Sequence, residues 1–412
     1  MSMDIHTSLS AHKASDERLA EILADPGFGN HFTDHMLTIE WTHENGWHDA
    51  RIEAYGPISL DPATAVLHYA QETFEGMKAY RHPDGSVWSF RPEANAARMA
   101  RSSHRLALPV LPEEDFVQAV DELVKADARW VPEASEGNEK SLYLRPFMFA
   151  SEAFLGVRPS QHVTFMVIAS PAGSYFKGGV KPVRIWLTEE YTRAGRGGMG
   201  AAKTGGNYAS SLVAQQEAYD HGCDQVVFLD AAEGKYVEEL GGMNLYFVFA
   251  DGHIVTPELG TILEGITRAS IIEIAGKLGH QVEERQFSID EWKSGVESGE
   301  IVEVFACGTA AVVTPVGELV WDGGSVTSPA RLTSGVAPPF HFSDPTGVTT
   351  AAVPHANTSV ISPLWRPSRH SSMETLRSST WWPILPASSM MLERVMPSRI
   401  VPSSGVTMRP SA

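Results

Sequence analysis

The stretch AAKTGGNYASSL, Ala201–Leu212, sets one lysine beside a pair of glycines and just ahead of a helical pattern. A lysine so placed can grip a phosphate as a cation, form a covalent bond as an amine, or coat the surface. Spacing removes the first option. A phosphate loop carries its lysine directly after the second glycine, whereas Ala201-Ala202 stand between Gly200 and Lys203. The same glycines, GRGGMG, also match GxGxxG. That motif needs a strand directly before it and a helix directly after, and here EEYTRA and AAKTGG intervene. Covalent chemistry asks for an amine of lowered pKa and a fixed aldehyde, usually that of pyridoxal phosphate. Such a group wants an arginine and helix-start N–H groups for its phosphate. It also wants a carboxylate for its ring nitrogen and a hydroxyl donor for its phenolic oxygen. The chain holds candidates for each.

Alternating strand and helix patterns must position these residues. Ser15 reads as the N-cap of the helix DERLAEILA, ended by Asp25-Pro26-Gly27. MLTIEW and ARIEAYG alternate like strands. Pro112–Val131 has helical spacing, with Phe116, Val120, Leu123 and Val124 on one face. SLYLRPFMF and VTFMVIAS read as strands. Residues 1–170 therefore form a small α/β domain. The glycine-rich segment 171–182 reads as a linker, and 183–326 as a second domain. In that second part VRIWLT is a strand, and NYASSLVAQQEAYDHG is one helix stopped by Gly222. QVVFLD, KYVEEL, NLYFVFA and HIVTP are short strands with turns at Glu233-Gly234 and Asp251-Gly252. ITRASIIEIAGKLG is a helix with Ile271, Ile274 and Leu278 on its apolar face. EIVEVFACGTAAVVTPV returns to strand.

The 412 residues are 43% hydrophobic and 20% charged, as in ordinary globular proteins. A net charge of −18 argues against nucleic-acid binding, which needs clustered basic residues. Cys223 and Cys307 alone form neither a disulfide framework nor a metal cluster, which fits a reducing cytoplasm; no metal is expected. The polar N-terminus lacks the apolar core of a signal peptide. No run of apolar residues is long enough for a membrane span.

YAQETFEGMKAY, FRPEANAARM, YLRPFMFASEAFLGV, AAKTGGNYASSL, VEELGGMNLYFV, LEGITRASIIEIA and VFACGTAAVVTPVGE occur in this order. Together they closely resemble the branched-chain-amino-acid aminotransferases, a family of fold-type-IV pyridoxal phosphate enzymes, over about residues 28–326. FTDHMLTIEW points to the larger subgroup shared by eukaryotes and many bacteria. The resemblance implies an α/β, two-domain fold whose larger domain is a strongly curved β structure with flanking helices, and amino transfer between leucine, isoleucine or valine and 2-oxoglutarate. It implies that Lys203 forms the internal aldimine with pyridoxal 5'-phosphate and shuttles the proton. By the same carry-over Tyr208 bonds the phenolic oxygen and Glu239 pairs with the ring nitrogen. Arg98, Ile266, Thr267, Gly308 and Thr309 hold the phosphate. Thr309-Ala310 offer N–H groups to the substrate carboxylate. Tyr143 and Arg145 hold carboxylates, Arg145 that of the glutamate side chain. Phe74 and Tyr208 line the apolar pocket, and Tyr69 reaches it from a second subunit, so a homodimer is implied.

Taken singly, the same residues have plainer readings. Glu239 after Glu238 reads as a strand-edge charge, and Arg98 as a helix-surface cation beside Arg101 and Arg105. Tyr69 and Phe74 read as core aromatics, and Cys307 as a small buried apolar residue. The rival enzyme readings are a D-amino-acid aminotransferase or an aminodeoxychorismate lyase, against which FEGMKAY and YLRP argue. The rival of another class is a cofactor-binding protein that has lost its activity. Ala311 and Thr314 stand where some family members carry a redox Cys-x-x-Cys, so no thiol switch is expected. Beyond Val326 the chain changes character. Residues 327–412 hold seven arginines, three acids and no lysine, and are rich in Ser, Thr and Pro. The tail reads as mostly unstructured. The abrupt change points to a shift of reading frame, which resequencing of the gene checks.

Overall fold

The computed structural model describes residues 3–133, 140–173, 181–329 and 361–365. Among the described residues the strands gather into two nine-stranded sheets. The first uses β1 (Ile5–Thr7), β2 (His35–Thr42), β3 (Gly46–Ala54), β4 (Glu72–Phe74), β5 (Met77–Arg81), β6 (Val87–Phe90), β7 (Ser141–Ala150) and β8 (His162–Ala172). The second uses β9 (Val183–Leu187), β10 (Gln225–Leu229), β11 (Val237–Leu240), β12 (Asn244–Phe249), β13 (Ile254–Pro257), β14 (Val282–Arg285), β15 (Ile301–Gly308), β16 (Val312–Trp321) and β17 (Gly324–Thr327). β18 (Ile361–Trp365) joins the first sheet, antiparallel to β6.

The first sheet runs β1-β3-β2-β8-β7-β5-β6-β18, with β4 added on β7. Its centre is the hairpin β7–β8, in unbroken register from Ser141↔Ala172 to Ala150↔Val163. Side chains alternate across a strand. Leu142, Leu144 and Met148 therefore enter the core, while Tyr143, Arg145 and Phe147 stay half-buried on the other face. Three helices serve the core side: α1 (Asp16–Ala24), α3 (Pro92–Arg105) and α4 (Glu113–Ala126); the short α2 (Ala65–Tyr69) lies apart. Ser15 caps α1 by accepting from the Arg18 N–H at 3.2 Å, as its sequence leads one to expect. In α4, Phe116, Val120, Leu123 and Val124 are at most 1% exposed. Each such residue contributes about 1.5–3 kcal/mol by leaving water.

The second sheet runs β11-β10-β9-β16-β15-β12-β13-β14, with β17 on β16. Its core is continuous through Ile185, Val227, Leu245, Phe247, Val304 and Val316. Helices α7 (Ile266–Lys277) and α8 (Ile289–Ser298) flank it, and α6 (Leu212–Asp220) lays Ala214 and Ala218 against Trp186 and Phe228.

Several boundaries differ from the sequence reading. The helix after Lys203 is two pieces, α5 (Gly205–Ala209) and α6, parted at Ser210-Ser211. Both serine hydroxyls donate to carbonyls three residues back, Ser210 to Asn207 at 2.9 Å and Ser211 to Tyr208 at 2.7 Å. Such bonds compete with the helical ladder. The helical spacing over 112–131 ends at Ala126 and continues as a 3₁₀ turn, Ala128–Trp130. β8 extends to Ala172, so the expected linker begins as strand, and its residues 174–180 lie outside the described residues. Of the tail, only 327–329 and β18 are described, and the expectation of an unstructured tail otherwise falls outside the described residues.

Candidate active site

Lys203 lies where the two sheets meet, held by its main chain. The Lys203 carbonyl accepts from the Thr73 hydroxyl at 2.8 Å and the Phe74 N–H at 3.0 Å, both on β4. Its own N–H donates to Ser102 Oγ on α3 at 2.9 Å. One residue on, the Glu72 carboxylate accepts from the Gly205 N–H and, at 3.3 Å, from the Thr204 hydroxyl. A strand of the first sheet thus clamps a turn of the second.

The side chain is left to do chemistry. Nζ donates to the Tyr208 hydroxyl at 2.7 Å and lies 4.8 Å from the centre of the Phe74 ring. Lys203 stays partly exposed, but the surrounding protein mass lowers its pKa to about 8, with the Arg98 charge adding to the effect. Tyr208 is pushed the other way, up to about 12, chiefly by burial, so it stays a hydroxyl. Phe74 and Tyr208 pack at 5.1 Å between ring centres and form an apolar wall beside the amine.

Glu239, on β11, is 4% exposed rather than an edge charge. Its carboxylate pairs with Arg193 at 2.8 Å and accepts from Asn244 Nδ2 at 3.1 Å and the Leu263 N–H at 3.3 Å. Burial still pushes its pKa up to about 7, against the pull of Arg193. Arg193 also donates to the Thr261 carbonyl at 2.9 Å.

A cleft is lined by Lys78, Asn95, Ile266, Thr267, Gly308 and Thr309. Ile266 and Thr267 open α7, whose N-cap, Gly265, has no side chain to satisfy the first N–H groups. Beside them, Arg98 is 4% exposed and fully engaged on one side. Nε and Nη2 bond both oxygens of Glu75 at 2.8 and 2.7 Å, and Nη1 donates to the Glu264 carbonyl at 3.1 Å. Asn95 adds a third bond to Glu75 at 2.7 Å. The plain reading of Arg98 as a surface cation is therefore wrong, because a bidentate carboxylate makes its burial tolerable. Ala310 follows Thr309 in the same turn, and Lys78 Nζ donates to its carbonyl at 3.1 Å.

On β7, Arg145 Nη2 donates to the Tyr143 hydroxyl at 3.0 Å and the guanidinium lies 4.8 Å from the Phe74 ring centre. Phe28 meets Tyr143 edge-on at 5.0 Å. Lys203, Tyr208, Phe74, Arg145 and Tyr143 therefore form one chain of contacts. Arg98, Ile266, Thr267, Gly308 and Thr309 gather at a second pole, and Glu239 with Arg193 at a third. Tyr69 stands apart: it is 38% exposed on α2 and its hydroxyl meets the Leu155 carbonyl. Glu72, Glu75, Lys78, Arg193 and Phe28 were not singled out from the sequence. The repeated acid in QETFEG was the available signal for the first two. Nothing local marks Arg193, whose partner is 46 positions away. Cys307 is buried, which pushes its thiol up to about 12.

The donor set fits a phosphorylated pyridine aldehyde. A neutral-prone amine faces a hydroxyl. A buried carboxylate is anchored by an arginine and an amide. An uncapped helix start lies next to a buried arginine, as anion binding requires.

Residues 72–319 match the family model described as amino-transferase class IV. The chain is 62% identical over 309 residues, covering 75% of it and 84% of the relative, to a protein of Streptomyces coelicolor named a probable branched-chain-amino-acid aminotransferase. It is 56% identical over 329 residues, 79% of this chain and 89% of the other, to the branched-chain-amino-acid aminotransferase of Mycolicibacterium smegmatis. Among solved structures, the branched-chain aminotransferase of Thermoproteus uzoniensis with norvaline matches at TM-score 0.62 and 27% identity, covering 80% of this chain and all of that one. The T.th. branched-chain amino acid aminotransferase with pyridoxamine 5'-phosphate matches at 0.58 and 31%, covering 72% and 89%. The fold-type-IV expectation holds.

Proposed function

This chain belongs to the class IV aminotransferase family and is a branched-chain-amino-acid aminotransferase, and from that premise we propose that its cleft takes pyridoxal 5'-phosphate, with Lys203 as the catalytic base. The amino group moves between leucine, isoleucine or valine and 2-oxoglutarate. One observation carries the assignment: Lys203 is fixed through its backbone while its amine, lowered to about 8, faces Tyr208. The cofactor, when bound, supplies the electron sink that makes the substrate's α-proton labile.

The residues divide the remaining work. Lys203 Nζ, neutral in a usable fraction near pH 8, takes and returns the α-proton. Tyr208 donates to the phenolic oxygen. Glu239, its carboxyl drawn down by Arg193 against burial, would face the ring nitrogen. Arg98, the N–H groups of Ile266 and Thr267, and Gly308-Thr309 hold the phosphate. Thr309-Ala310 and Tyr143 meet the substrate's α-carboxylate. Phe74 and Tyr208 form the apolar wall, and Arg145 meets the second carboxylate when glutamate is the partner. The exposed Tyr69, with Leu67, Leu155 and Val157 about it, supports a homodimer in which Tyr69 enters the neighbouring site. The two free, buried cysteines support a cytoplasmic location.

The test is spectroscopic. The purified protein loaded with pyridoxal 5'-phosphate should be yellow, and L-leucine should shift its absorbance while D-alanine does not. Turnover of D-alanine alone would sink the reading. Colour without a shift would point to a binder that has lost its chemistry.

A further inference from the structure

We propose that Glu72 sets substrate specificity: its carboxylate, clamped on the face of β4 that carries Phe74, is the resident counter-charge of Arg145 and competes with a carboxylate on the substrate's side chain. The inference rests on the reading that Arg145 meets that carboxylate.

The placement follows from strand register. β4 pairs antiparallel with β7 as Glu72↔Phe149, Thr73↔Met148 and Phe74↔Phe147. Alternation then puts Glu72 and Phe74 on the same face as Tyr143, Arg145 and Phe147. The Arg145 guanidinium already rests 4.8 Å from the Phe74 ring centre. Its Nε is buried without a hydrogen-bond partner, and among the described residues no carboxylate lies within ion-pair distance of it. Glu72 cannot swing over to make that pair. One oxygen is committed to the Gly205 N–H and the Thr204 hydroxyl. A Cβ on Gly205 would collide with that oxygen, so the fit is close. Burial raises the Glu72 carboxyl, and the Gly205 and Thr204 bonds and the Arg145 charge pull it back.

A fixed carboxylate at a distance solves a problem particular to this pocket. With a branched aliphatic side chain bound, Arg145 would be a half-buried charge with nothing to balance it, which is costly. With glutamate bound, an unopposed Arg145 would hold the substrate too firmly for exchange. Glu72 offsets the field in the first case and subtracts from the attraction in the second. Neither effect needs contact, because charge interactions persist over several ångströms in a poorly solvated cleft.

The experiment compares kcat/KM for L-glutamate with kcat/KM for L-leucine, a ratio that general loss of enzyme does not move. Glu72→Gln keeps an oxygen for the Gly205 N–H and nearly the same volume. It should raise the glutamate-to-leucine ratio roughly threefold or more, as removal of a nearby like charge requires. Glu72→Ala reads the same ratio should the amide variant fail to fold. Arg145→Gln should lower the ratio, and in the double variant the two shifts should not add. A ratio moved by Arg145→Gln but not by either Glu72 variant overturns the inference alone. A ratio unmoved by Arg145→Gln sinks the reading of Arg145, and the inference with it.

Discussion

Lys203 carries a direct conflict between stability and chemistry. Its folded pKa of about 8 lies below the ordinary 10.5, so the folded state disfavours the charged amine. For a lysine of lowered pKa the penalty is full below pH 8 and disappears as pH rises through 10.5, where both states are neutral. Lys203→Met should therefore raise the stability of the cofactor-free protein at pH 7 by about 1–2 kcal/mol, read by urea unfolding, while abolishing transamination. Glu239 supplies a second prediction. Arg193 pulls its carboxyl down against burial, so Arg193→Gln should lift it further above about 7. Cofactor affinity should then fall at pH 7 and recover as the pH is raised, unlike the flat loss a merely structural role would give. Short ordered motifs singled out Lys203 and Tyr208, which the structure brings within hydrogen-bond distance, and the buried Glu239. Arg193 was not legible, because an ion pair between distant segments leaves no spacing to read. Arg98 was legible as a cation but not as Glu75's partner.

At the level of elements, the glycine-rich GRGGMG finds its reason in packing rather than phosphate binding. A Cβ on Gly200 would collide with the Thr261 carbonyl, the group that also accepts from Arg193. Gly200→Ala should cost about 1–3 kcal/mol by overpacking and should weaken cofactor binding through Arg193, measured by titrating the cofactor-free protein. Strands and long helices were legible from period alone: MLTIEW, SLYLRPFMF and the apolar face of α4 all lie where their spacing put them. The break at Ser210-Ser211 was not, because it depends on hydroxyl-to-carbonyl bonds that compete with a helix period which is itself intact. The short β4 was also hidden, since three residues carry no period. Yet, among the described residues, β4 supplies every first-sheet bond to the lysine turn.

For the whole molecule, α2 and residues 154–157 present Leu67, Tyr69, Phe154, Leu155 and Val157 to solvent, a grouping of exposed apolar side chains of the kind that marks an interaction surface. Sedimentation should find a dimer. If Tyr69 completes the neighbouring site, mixing Lys203→Ala with Tyr69→Ala subunits should restore activity that neither has alone. A mixture as inactive as its parts would count against shared sites. Two-sheet architecture was legible as two runs of strand patterns. Their mutual placement was not, because it rests on bonds between distant segments such as the Phe74 N–H and the Thr73 hydroxyl to the Lys203 carbonyl.

Those same bonds tie the position of the Lys203 amine to completed assembly. The lysine's carbonyl and N–H are both tied to segments far upstream, on β4 and α3. A nascent or partly unravelled chain that has not closed one half on the other presents an ordinary, protonated lysine to any aldehyde it meets. If Lys203 holds pyridoxal 5'-phosphate as proposed, capture of the cofactor follows closure of the two halves, and in rising urea catalysis should fade at the step where the halves part, ahead of the loss of either sheet.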